Sequence, residues 1–142
     1  MMAGSSGVVT FLFTDVEGST RLWQADEGAM RSALSRHDEL LRKVVVEHEG
    51  TVFSEMGDGM AAAFGSASAA VSAALAAQQS LAAEPWPTAT PLRVRMGLHT
   101  GEAEPRDGDY FGTVVNRAAR LMAIGHGGQV LCSAATAELD CP

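Results

Sequence analysis

Cysteine, positive charge and long apolar runs are what this chain has little of. Its 142 residues hold two cysteines, Cys132 and Cys141, too few for a disulfide scaffold and without zinc-site spacing, so both read as buried or idle thiols. Lys and Arg number 10 against 17 Asp and Glu, a net charge of −7. The surface as a whole therefore does not attract nucleic acid, and any polyanion must be held locally, by a metal or by oriented amides. No run reaches the length of a membrane span, and the N-terminus lacks a basic-plus-apolar signal sequence. These absences point to a cytoplasmic protein with neither a membrane nor a nucleic-acid partner. His37, His48 and His126 are scattered without metal-ligand spacing, and there is no P-loop, nucleophile elbow or G-x-G-x-x-G fingerprint.

What is present is a folded chain's composition, 46% hydrophobic and 19% charged, at a length that suits one domain. Met1 to Gly7 reads as a flexible start, with the domain at residues 8–142. The stretch Val8–Thr20, VVTFLFTDVEGST, opens with β-branched and aromatic residues that suit a buried strand. It then breaks into Asp15, Val16, Glu17, Gly18, Ser19 and Thr20. A carboxylate at a strand tip sits on a rigid element and suits a metal ligand, and the turn opens a helix whose free N–H groups can hold phosphate. By itself the motif also reads as a plain strand end, with Ser19 or Thr20 capping the next helix.

Further along, residues 26–49 carry apolar positions on one helical face, and Gly50 closes that helix. Two short strands, 51–56 and 60–64, flank a Gly57-Asp58-Gly59 turn. An alanine-rich helix follows over 66–83, then a loop with Pro85, Trp86 and Pro87, and an alternating strand over 92–100. Residues 101–108 read as a polar turn, 109–111 as a short strand, 113–123 as a helix and 129–132 as a last strand. Ser133 caps a final helical turn. The order predicts an α+β fold: a ferredoxin-like βαββαβ core with an added strand and helix, its mixed or antiparallel sheet covered by helices on one face. Asp15 and Asp58 then meet at one edge. Two neighbouring carboxylates repel unless cations lie between them, which suits a magnesium or manganese site for a phosphate substrate, although Asp58 alone also reads as an ordinary turn aspartate. Asn116 and Arg120, four apart on a helix, share a face and offer a neutral amide and a guanidinium fork suited to phosphate oxygens; a salt bridge and a surface hydrogen bond are the plainer alternative. His99 reads as structural.

Four segments in this order, FLFTDVEGST, SEMGDG, RMGLHTGE and DYFGTVVNRAARL, resemble the catalytic domain of class III adenylate/guanylate cyclases, most nearly the bacterial subgroup whose first motif reads TFLFTDVEGST. The resemblance runs from Val8 to the chain end. It implies that Asp15, Asp58 and the Val16 carbonyl hold two Mg2+ or Mn2+ ions. Asn116 would orient the ribose, Arg120 would stabilise the transition state, and Asp109 would help read adenine. It further implies a head-to-tail homodimer converting ATP to cyclic AMP and pyrophosphate. Ser54 stands where the family has a base-reading lysine, and on strand parity Glu55 faces the wrong way to replace it. Weak activity, or relaxed choice between ATP and GTP, is the expectation. The chain stops at Pro142, before the family's later strands and their triphosphate-contacting lysine. The alternative is a degenerate domain that binds nucleotide or dimerises for regulation. A diguanylate-cyclase palm is disfavoured because SEMGDG has a single glycine before its aspartate.

Overall fold

The apolar run Val8–Phe13 is the middle of a longer strand. The computed structural model describes residues 7–103, 105–106, 109–110 and 112–140, apart from the side chains of 105, 106, 109 and 140. The expected flexible start at residues 1–6, the strand end at 111 and the thiol of Cys141 lie outside the described residues. Gly7 belongs to the first strand, β1 (Gly7–Val16), where it pairs with Ala103.

After β1 come α1 (Ser19–Ala25), α2 (Glu27–Glu47), β2 (Thr51–Met56), β3 (Gly59–Phe64), α3 (Ala67–Ala83) and β4 (Val94–Ala103). They are followed by β5 (Pro105–Arg106), β6 (Asp109–Tyr110), α4 (Thr113–Ala123), β7 (Val130–Cys132) and α5 (Ala134–Asp140). The main sheet runs β2-β3-β1-β4-β7, antiparallel throughout except for the parallel β4–β7 pair. This is the ferredoxin-like βαββαβ core with the added strand and helix.

Local chemistry sets the boundaries. Asp26 ends α1 and caps α2, its Oδ1 accepting the Ala29 N–H at 3.0 Å; Ser66 caps α3 through Ala69 at 3.1 Å. At the end of α2 the left-handed residue is Glu49, φ 63°, rather than Gly50. Bonds from the Glu49 N–H to the Val46 carbonyl and from the Gly50 N–H to the Val45 carbonyl close the helix. The polar turn expected from Gly101 begins later. β1 and β4 pair over ten residues each, from Gly7↔Ala103 to Val16↔Val94, and that ladder extends both strands beyond their apolar centres.

The helices occupy both faces of the sheet, where the sequence suggested one. Leu12, Val16, Met60, Ala62, Phe64, Met96 and Leu98 form the main core with α2 and α3. Alanines at 70, 73, 74 and 77 bring α3 in closely. The alternate residues of the same strands face the other way, with Phe11 and Ala63 packed beside Ala118 of α4. Gly97 makes this possible. A Cβ there would lie 2.8 Å from Met122 Cα and 2.9 Å from the Ala118 carbonyl, so only glycine lets α4 rest on β4. Among the described residues no helix is long and apolar enough to cross a membrane.

Candidate metal centre

β1 lies between β3 and β4, and this order assembles the site. On β1, Phe11 and Phe13 pack toward α4, so parity places Asp15 on the α4 face at the strand tip. Thr14 pairs with Met60, which sets the β2–β3 turn and its Asp58 against that tip. Asp15, Val16, Gly18, Ser19, Thr20 and Asp58 line one open cavity of about 440 Å³. The sequence-derived metal residues and three of the four phosphate-turn residues thus come together. Glu17 instead lines an adjoining cavity of about 760 Å³ with Arg21 and Arg93. The cap of α1 is Gly18, at φ 67°, and not Ser19 or Thr20, which lie inside the helix. That left-handed conformation strains any L side chain, which explains the glycine.

The donor set fits a divalent cation. Asp58 Oδ2 is buried and has no hydrogen-bond partner, an uncompensated acceptor that a cation would satisfy. Among the described residues no group of three or more His, Cys, Asp and Glu gathers. The site offers two carboxylates, with Val16 beside them in the lining, the sparse protein ligation usual for magnesium shared with substrate phosphates.

Sequence reasoning missed Arg95, which also lines the cavity. It stands opposite Asp15 in the β1–β4 register, and its guanidinium grips that carboxylate with two N–H groups, the Nε one at 2.7 Å. A third N–H donates to the Ala123 carbonyl at the end of α4, at 3.0 Å. The hydrogen-bonded Asp15 carboxylate raises the Arg95 pKa above its ordinary value against the opposing cost of burial, with smaller help from the fields of Glu17 and Asp58. A basic residue in LRVRMGLHT looks like any polar-face residue until the strand pairing is known.

Asn116 and Arg120 do not line this cavity. Both are exposed on α4. Ser54 lies on β2 and is likewise outside the cavity, and the Asp109 side chain lies outside the described residues. Glu55 pairs with Arg42 of α2, which puts it on the face away from α4, as strand parity indicated. His99 is buried, with Nδ1 2.7 Å from Ser133 Oγ. Burial, then the charge of Arg117, lowers its pKa. Thr10, Thr100 and Thr136 continue these hydroxyl contacts from β1 to α5, so His99 is structural.

Comparison with known proteins places the chain in a family. The adenylate and guanylate cyclase catalytic domain family matches residues 1–140. An uncharacterised protein of Mycobacterium tuberculosis is 43% identical over 137 residues, covering 94% of this chain and 45% of that protein. The adenylate cyclase of Mycosarcoma maydis is 37% identical over 152 residues, covering 89% of this chain and 6% of that protein. This chain thus spans less than half of either. A Trypanosoma brucei adenylate cyclase structure in its monomeric state superimposes with a TM-score of 0.88 at 28% identity, covering 92% of this chain and 74% of that one. The chain belongs to the adenylate and guanylate cyclase catalytic domain family.

Proposed function

We propose that residues 8–142 act as a metal-dependent nucleotide cyclase that converts ATP to 3′,5′-cyclic AMP and pyrophosphate at sites shared by two copies arranged head to tail. The observation that carries this reading is the convergence of Asp15 and Asp58 on one cavity, with Asp58 Oδ2 buried and unpartnered. Asp15, Asp58 and the Val16 carbonyl would hold two Mg2+ or Mn2+ ions, which supply charge for the triphosphate and lower the pKa of the ribose 3′-hydroxyl. The 3′ oxygen attacks the α-phosphorus as its proton passes to solvent in the open cavity, and the bond to the α–β bridging oxygen breaks to release pyrophosphate.

The protein's part is positioning and charge. Ser19, Thr20 and Arg95 line the cavity where phosphates would lie. The Ala123 carbonyl holds Arg95 independently of Asp15, so with Asp15 engaged by a cation Arg95 would remain as a fixed donor for phosphate oxygens. Arg120 would meet charge developing on the reacting phosphate and Asn116 would orient the ribose. Their exposure on α4, outside the cavity of their own chain, favours delivery to a partner's cavity. Asp109 and Ser54 would face the base, and adenylate cyclases among the fungal relatives favour ATP. A neutral serine in place of lysine favours low turnover or relaxed choice between ATP and GTP. It also gives the second reading its basis: a degenerate domain that binds nucleotide or dimerises for regulation.

The test is cyclic AMP and pyrophosphate formation from ATP with Mn2+ at high protein concentration, beside Asp15→Ala and repeated with GTP. Product lost in the variant supports the cyclase. Absence of product while nucleotide still binds would leave the regulatory reading.

A further inference from the structure

Strand β2 carries a defect beside Ser54. Val52 pairs with Ala62, but the next paired residue is Ser54, with Ala61. Phe53 is therefore the extra residue of a β-bulge. In a regular strand Phe53 and Ser54 would point to opposite faces. Here Phe53 packs in the cluster under α4, and Ser54, opposite Ala61, shares that face. Bulges of this kind re-aim a side chain and recur beside active sites.

The re-aimed ring has a specific neighbour. Phe53 meets Tyr110 edge-on, centroids 5.0 Å apart at 69°, and Phe11 at 5.8 Å and 77°. Tyr110 in turn meets Phe11 at 4.9 Å and 74°. Tyr110 follows Asp109 in β6, which pairs with β5 in a two-stranded sheet separate from the main one. The ring cluster thus ties the Asp109 segment to the strand that carries Ser54, at the residue next to each.

We infer that Phe53 is a positioning residue for base recognition: the bulge turns its ring under Tyr110, and this aromatic joint sets the separation of the two segments that face the purine. The inference rests on the nucleotide-binding reading above and extends it to a residue that touches no substrate. It also gives Ser54 a context. With no long side chain at that position to reach the base, discrimination depends on how closely β2 and β6 are held.

The test compares ATP with a ligand that lacks a base. Binding of ATP and of inorganic tripolyphosphate, each with Mn2+, is measured by calorimetry for the parent protein, Phe53→Leu, Tyr110→Leu and Phe53→Tyr. Losing the ring contact is expected to weaken ATP about three- to tenfold in either Leu variant. Tripolyphosphate should change less than about twofold, and Phe53→Tyr, which keeps the ring, should match the parent. Equal losses for both ligands, or none for ATP, would overturn the inference and leave Phe53 a core residue. If Phe53→Leu does not fold, Tyr110→Leu removes the same contact from the other side and decides the matter. A parent protein that binds neither ligand would instead overturn the nucleotide reading, and this inference with it.

Discussion

Replacing Gly97 by alanine probes the contact that places α4. The added Cβ would sit 2.8 Å from Met122 Cα and 2.9 Å from the Ala118 carbonyl oxygen, against 3.4 Å for ordinary contact. Both obstacles are backbone, so no rotamer relieves them and α4 must withdraw by roughly half an ångström or more. Overpacking of this kind costs about 1–3 kcal/mol, offset by about 0.4–1 kcal/mol from the smaller entropy of the unfolded alanine chain. The net loss of about 1–2 kcal/mol should lower the melting temperature by about 5 °C in a domain of this size. Turnover should fall further, by about tenfold or more, because Asn116 and Arg120 ride on the displaced helix. Two other glycines calibrate the result. A Cβ at Gly65 meets nothing within 4 Å, and one at Gly101 would come nearest to the Val114 side chain, at 2.7 Å. Melting curves and cyclase rates for the three alanine variants should rank Gly65→Ala highest, Gly101→Ala next and Gly97→Ala last. A Gly97→Ala protein as stable and active as Gly65→Ala would refute the close-contact account of α4.

Ser54→Lys should tighten ATP binding and raise cyclic AMP output if the site is intact but lacks a base-reading cation; unchanged kinetics would place the lesion elsewhere. Mixing Asp15→Ala with Arg120→Ala, each inactive alone, should restore about a quarter of parental activity, since mixed dimers hold one site free of both lesions; no recovery would exclude shared sites. Arg95→Met leaves two carboxylates facing one another without their counter-charge, so unfolding in chelator should become easier by about 1–3 kcal/mol and Mn2+ should recover much of it. For His99, burial and Arg117 hold the folded pKa below 6.5. The unfolded chain therefore takes up a proton first as pH falls, so this contribution is complete above about 6.5 and shrinks as pH drops toward the lowered value. Urea unfolding at pH 7.5 and 5.5 should show that loss in the parent and a smaller one in His99→Gln, whose amide can keep the bond to Ser133.

The fold was legible wherever a local rule and the tertiary structure agree. The Asp58 turn, the alanine helix and the helix over 113–123 follow from turn chemistry, propensity and periodicity. Ambiguity arose where pairing overrides local preference. Residues 101–103, Gly-Glu-Ala, carry no strand signal of their own and are extended because Gly7, Val8 and Val9 lie opposite them. The helix on the second face was hidden for a similar reason: Gly97 reads as a strand weakness until α4 is seen against it.

The site divides along the same line. Asp15 and Asp58 were readable because each terminates an apolar run at a turn, and the βαββαβ order makes their strands neighbours. Arg95 has no such mark. Its place depends on a register of ten pairs that sets it opposite Asp15, and a shift of one residue would send it to the α2 and α3 face. Phe53 is hidden more deeply, because the alternation rule that correctly turned Glu55 toward Arg42 would put Phe53 and Ser54 on opposite faces. The bulge adds one residue between Val52 and Ser54 and so reconciles the two facts: parity holds from Ser54 onward, and the strand before it is offset by one. A motif scan reads residue types at fixed spacing and therefore finds the candidate ligands, Asp15 and Asp58. The residues that hold those carboxylates in place are set by register, and register is a property of the paired strands, not of either one alone.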